Sequence, residues 1–191
     1  MTIGPWTHDQ MVTRGTGITA TETLSRLGNH LAGRPEYRRS PVRIYVTGAN
    51  TWVDLPDWPP PAQDRVFYPH PDGGLHPAVP RSAARSFRFD PADPTPTVGG
   101  RLLSRTAGYR EDTTLSARPD VVTFTSAPLD DGVTVCGTPV VDLDHGCDNP
   151  HFDVFVRISE VDARGRSRNV SDVFRRFEGA APGPIRPDLD P

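Results

Sequence analysis

The stretch FDVFVRISEVDARGRSRNVSDVFRRF, residues 152–177, decides the fold class. VFVRISEV alternates apolar and polar residues with the period of two expected of a half-buried strand. ARGRSRN then supplies a glycine-centred turn, and NVSDVFRRF supplies a partner strand. The pattern predicts a β-hairpin with its tip near Gly165. Arg164, Arg166 and Arg168 are flanked by Asp162 and Asp172, the mixed charge of a solvated turn.

Working outward, strands are predicted in DVVTFTS (120–126), from Gly132 to Val135, in TPVVDL (138–143) and briefly from Ser86 to Phe89. PVRIYVTGANTWVDL (41–55) sets Val42, Ile44 and Val46 against Arg43, Tyr45 and Thr47, a half-buried strand that turns near Gly48–Asn50. WPPP from Trp58 cannot continue a ladder, because proline lacks the backbone donor. Tyr68 to Pro80 and residues 1–15 are expected to be loops. In TETLSRLGNHLAG (21–33), Leu24, Leu27 and Leu31 share one face of a short helix, with Thr21 as N-cap and Gly33 as stop. Beyond Phe177 the chain reads EGAAPGPIRPDLDP, where an extended segment is expected to begin without a partner strand.

Composition agrees with many short elements: 22 Pro and 17 Gly in 191 residues favour fixed turns over long helices. A net charge of −3 excludes a globally attractive surface for nucleic acid. No apolar run is long enough to cross a bilayer and no N-terminal leader is evident, so no membrane association and a cytoplasmic location are the expectation. Cys136 and Cys147 permit at most one disulfide, too little for an extracellular framework.

Several segments, in order, resemble the cocaine esterase and Xaa-Pro dipeptidyl-peptidase family of α/β-hydrolases. They are IGPWTH (3–8), HLAG (30–33), PVRIYVTGANTWVDLPDWPPP (41–61), FDPADPTPTVGG (89–100), RPDVVTFTSAPL, VTVCGTPVVDL and FDVFVRISEVDARGRSRNVSD. The resemblance covers almost the whole chain, and its weight comes from the order of the motifs. It implies a mainly β fold: an incomplete jelly roll or β-sandwich over residues 41–191, preceded over residues 1–40 by a short helical remnant of an α/β-hydrolase core. It also implies a serine, histidine and acid triad that cleaves ester or amide bonds with no metal or organic cofactor. IGPWTH resembles the loop of the catalytic histidine, which makes His8 the inherited catalytic position.

In such enzymes the serine and acid precede the histidine in chain order, and only residues 1–7 lie ahead of His8. The expectation is therefore an interior portion of the family's template, a partial serine-hydrolase polypeptide inactive by itself. Its partner would be an upstream or separately encoded α/β-hydrolase portion, and an ester, amide or X-Pro peptide would be bound only by the complete enzyme. The alternative is a noncatalytic binding or assembly module that completes a separately encoded hydrolase half. Trp6, Trp52 and Trp58 suit domain contact or a pocket wall.

Other features are weaker. Asp9 adjoins His8, but adjacency does not place its carboxylate behind the imidazole. Ser167 lies between two predicted strands and has Asn169 where a nucleophile elbow needs glycine, so it is expected to be an exposed hairpin serine. DLDHGCDNPHFD (142–153) offers His145, Cys147 and His151 without a paired ligand pattern; a polar loop explains it better than a metal site. The glycines in GITATETL, TVGG and GAAPG lack the strand, turn and helix context of a nucleotide loop.

Overall fold

The computed structural model describes residues 1–38, 40–81, 84–179 and 183–185. They divide into two compact units, the first formed by Met1–Ala62 with Arg101–Gly108 and the second by Gln63–Gly100 with Tyr109–Pro191.

In the first unit, Val42–Val46 (β2) and Thr51–Leu55 (β3) form the expected hairpin, with Val42 paired to Leu55 and Val46 to Thr51. Thr2–Ile3 (β1) joins β2 in parallel, so part of the expected N-terminal loop is strand. The predicted helix begins earlier than Thr21. It runs through His8–Gln10, a π segment Met11–Gly15 and Thr16–Ala32. Thr21 is thus an interior residue, and its hydroxyl donates to the Gly17 carbonyl at 2.8 Å. Gly33 does end the helix: at φ 61° it sits in the left-handed region, and its N–H and that of Arg34 close on the carbonyls of Asn29 and Gly28.

This helix is turned with its polar side inward. Glu22 accepts from the Thr2 hydroxyl at 2.6–2.7 Å and from Arg38 at 3.3 Å, while Arg38 also donates to Thr2, Met1 and Pro41 oxygens. The Ser25 hydroxyl accepts from the Tyr37 N–H. Leu24, Leu27 and Leu31 share the opposite side and are 69%, 49% and 81% exposed.

In the second unit, Phe152–Val161 (β8) and Ser167–Phe177 (β9) make the predicted antiparallel hairpin. A register shift after Ile158 leaves Val170 without an opposite residue. Asp162 shapes the turn by accepting from the backbone N–H groups of Arg164 and Arg166 and from the Arg166 guanidinium. The backbone bond from Arg166, followed by its side-chain bond, holds the Asp162 carboxyl below the usual carboxylate range.

The remaining strands are shorter than predicted. Tyr68–Pro69 (β4) and Gly74–His76 (β5) form a small hairpin inside the expected loop, and only Thr125–Ser126 (β6) of DVVTFTS is strand, parallel to β5. Leu143–His145 (β7) pairs antiparallel with Gly183–Ile185 (β10), so the extended segment beyond Phe177 does find a partner. Residues 180–182 and 186–191 lie outside the described ones, as does most of PIRPDL. Residues 86–89 and 132–135 are not strands: Phe87 and Phe89 are exposed, and no ladder holds either segment.

The described residues are therefore mainly β, in four small sheets, none of them closed. Their fully buried apolar residues are Val42, Ala107 and Val173, while Phe155 and Phe174, paired across β8 and β9, stand half in solvent.

Candidate functional site

His8 is the first residue of the N-terminal helix. Thr7 caps that helix in extended geometry (φ −71°, ψ 171°): its hydroxyl accepts from the Gln10 N–H, and the Gln10 side chain accepts from the Thr7 N–H, both at 3.4 Å. This reciprocal box satisfies two backbone donors that a helix start otherwise leaves unpaired. Thr7-x-x-Gln10 is visible in the sequence, and sequence reasoning that treated residues 1–15 as loop missed it.

Trp6 underlies the turn. A Cβ on Gly4 would come within 2.2 Å of Trp6 Cζ3. One on Gly15 would stand 2.7 Å from Met11 Sδ and 3.1 Å from Trp6 Cδ2. The ring packs against Trp52 of β3 at a centroid separation of 5.7 Å, and Trp52 in turn meets Tyr45 edge-on at 5.3 Å and lies under the Arg43 guanidinium at 5.0 Å. Gly108 closes on Thr7 from another side, where a Cβ would come within 2.7 Å of Thr7 Cγ2. Two of the three tryptophans thus meet in one aromatic cluster.

The imidazole of His8 itself is exposed and forms no hydrogen bond or ion pair with any described residue. Asp9 is exposed beside it and is not joined to it. The arrangement holds the backbone of a solvent-facing histidine, without an orienting carboxylate or a nucleophile next to the ring among the described residues. Such an imidazole can exchange protons but makes no covalent intermediate without those two partners.

The other sequence candidates have structural tasks. Ser167 is half-buried, where an exposed hairpin serine was expected. Its hydroxyl donates to Asp112 at 2.6 Å, and its backbone N–H donates to Thr113 at 3.0 Å. His145 donates through Nδ1 to the Gly183 carbonyl, 2.8 Å away, and its ring packs on Phe152 at 4.5 Å. Cys136 and Cys147 are free thiols. Among the described residues no group of three or more His, Cys, Asp or Glu side chains is arranged to hold a metal ion, and no helix is long and apolar enough to cross a membrane.

The polar centre that the sequence did not reveal is Asp112. It is 4% exposed and accepts from Ser159 at 2.8 Å, Ser167 at 2.6 Å and Arg157 at 3.5 Å, while Arg157 also reaches Asp172 at 3.0 Å. These bonds tie the loop before Thr113 to both strands of the β8–β9 hairpin.

Comparison with known proteins adds the following. The family described as "X-Pro dipeptidyl-peptidase C-terminal non-catalytic domain" matches residues 37–181. The cocaine esterase of Rhodococcus sp. (strain MB1 Bresler) is 29% identical over 167 residues, which covers 72% of this chain and 29% of that protein. A predicted serine esterase of Mycobacterium bovis (strain ATCC BAA-935 / AF2122/97) is 27% identical over 206 aligned positions, covering 94% of this chain and 32% of that protein. The chain therefore spans about three tenths of the length of these curated relatives. The crystal structure of an aminopeptidase from a marine sediment archaeon, Thaumarchaeota archaeon, superposes with a TM-score of 0.77 at 22% identity, covering 98% of this chain and 38% of that one. At that identity the likeness is one of fold.

Proposed function

We propose that this chain, which belongs to the family of X-Pro dipeptidyl-peptidase C-terminal non-catalytic domains, is the β-domain side of a serine hydrolase and does not hydrolyse substrate by itself. In this reading residues 41–191 form the β-domain, residues 1–40 belong with the hydrolase core, and an α/β-hydrolase portion supplies the nucleophilic serine and the acid. His8 is the general base and acid of the assembled site, taking the serine proton and returning it to the leaving group. The substrates are esters, amides or X-Pro peptides, cleaved without metal or cofactor.

The observation that carries this reading is the orientation of the N-terminal helix. A helix in a self-sufficient domain turns its apolar stripe inward. Here Glu22 bonds Thr2 of the chain's own sheet and Ser25 bonds the Tyr37 backbone, while Leu24, Leu27 and Leu31 lie on the opposite side. A leucine stripe left exposed on the helical run that His8 begins fits a surface that an apolar partner portion covers.

The test has two arms. The purified chain is assayed with p-nitrophenyl acetate, an X-Pro p-nitroanilide and a fluorophosphonate probe, and neither turnover nor labelling is expected. It is then co-expressed with an α/β-hydrolase portion that carries the family's serine and acid. Complex formation, with activity lost in His8→Gln, is the expected result. Labelling of a serine in the isolated chain, or activity of the complex indifferent to His8→Gln, would overturn the proposal.

A further inference from the structure

We infer that Trp6 is the positioning residue for His8, and that through its tilted packing on Trp52 the β2–β3 hairpin of the non-catalytic domain aims the imidazole. The inference rests on the reading of His8 as a proton-transfer group, but it concerns what holds that group in place.

An imidazole with no hydrogen-bond partner takes its direction from its own backbone. At His8 that backbone is defined by the capping box of Thr7 and Gln10 on one side and by Trp6 on the other. Trp6 is gripped twice, by Gly4 before it, where a Cβ would come within 2.2 Å of the indole, and by Gly15 after it, where a Cβ would stand 3.1 Å from it. Gly15 closes the π segment Met11–Gly15, so the widened turn sits against the ring. Such π turns recur at functional sites, where they re-aim a helix end. The far side of the indole rests on Trp52, which Tyr45 and Arg43 hold from β2. The contacts thus run from a regular hairpin, through two indoles, to the peptide that carries His8.

A tryptophan serving only as core would be expected to affect the whole unit when truncated, whereas a positioning residue affects His8 selectively. The test uses the full 191-residue chain, isotope-labelled, with His8 assigned by His8→Gln. Backbone amide order parameters and ring-proton contacts of His8 are compared in the native chain, Trp6→Ala, Trp6→Phe and Trp52→Leu. Residues 24–31 and the β8–β9 hairpin serve as internal references. The His8 order parameter is expected to fall from about 0.85 to below about 0.6 in Trp6→Ala and in Trp52→Leu. Trp6→Phe is expected to restore most of the difference, and the references to stay unchanged. An unchanged His8, or order lost equally at His8 and at the references, would sink the inference. Neither result depends on whether the assembled enzyme is active, so failure here is distinct from failure of the proposed function.

Discussion

Arg157 and Asp112 meet 45 residues apart in the chain, Nη1 to Oδ2 at 3.5 Å, with side chains only 9% and 4% exposed. Buried charge is tolerated when it is paired and hydrogen-bonded, and Arg157 is paired a second time through Asp172 at 3.0 Å. Removing the cation leaves two carboxylates facing each other with little water. Arg157→Ala is expected to destabilise the chain by about 3–5 kcal/mol, the usual effect of orphaning one half of a buried ion pair. Urea denaturation followed by far-ultraviolet circular dichroism measures it, and a loss well under about 1 kcal/mol would show that Asp112 is held by Ser159 and Ser167 alone.

Asp120 gives the chain an acid-sensitive contact. Its carboxyl receives the Arg118 guanidinium at 2.7 and 3.0 Å and the Thr95 hydroxyl at 2.5 Å. The side-chain bond to Arg118, then that to Thr95, lowers its pKa from 3.8 to about 2. A group whose folded pKa is depressed contributes stability that is full above the ordinary value and is lost as pH falls through the folded one. Stability is therefore expected to decline between about pH 4 and pH 2, and Asp120→Asn should flatten the decline over that interval. Denaturant midpoints across the interval provide the comparison; parallel curves for the two proteins would contradict the assignment.

Gly33 occupies left-handed backbone at φ 61° at the end of the N-terminal helix. A side chain in that region costs about 1–2 kcal/mol. Gly33→Ala should lower stability by about that amount, whereas Gly17→Ala, within the helix and with open space around it, should raise it by about 0.5–1 kcal/mol. Thermal melts read by far-ultraviolet circular dichroism distinguish the two signs.

Leu24 and Leu31 contribute little to the isolated chain, because both stand largely in water. Leu24→Asp and Leu31→Asp are expected to change its folding free energy by no more than about 0.5 kcal/mol. The same substitutions should abolish association with the α/β-hydrolase portion, as seen by analytical size exclusion of the co-expressed pair. Strong destabilisation of the chain alone would mean that the stripe packs internally.

What the sequence determined by itself is local. The alternation in 152–161, the turn at 162–166 and the return strand were legible because strand period and turn chemistry act between near neighbours. So was the stop at Gly33. Tertiary structure alone decided the pairings whose partners lie far apart. Gly74 finds Thr125, and Leu143 finds Ile185, in strands of two or three residues whose own pattern carries no detectable period. It also decided that the helix starts at His8, because capping by Thr7 and the grip of Gly4 and Gly15 on Trp6 outweigh the loop character of IGPWTH. Asp112 was invisible for the same reason: the serines and arginine that make it the centre of a network stand 45 to 55 residues away, and only folding brings their dipoles and charges within bonding distance.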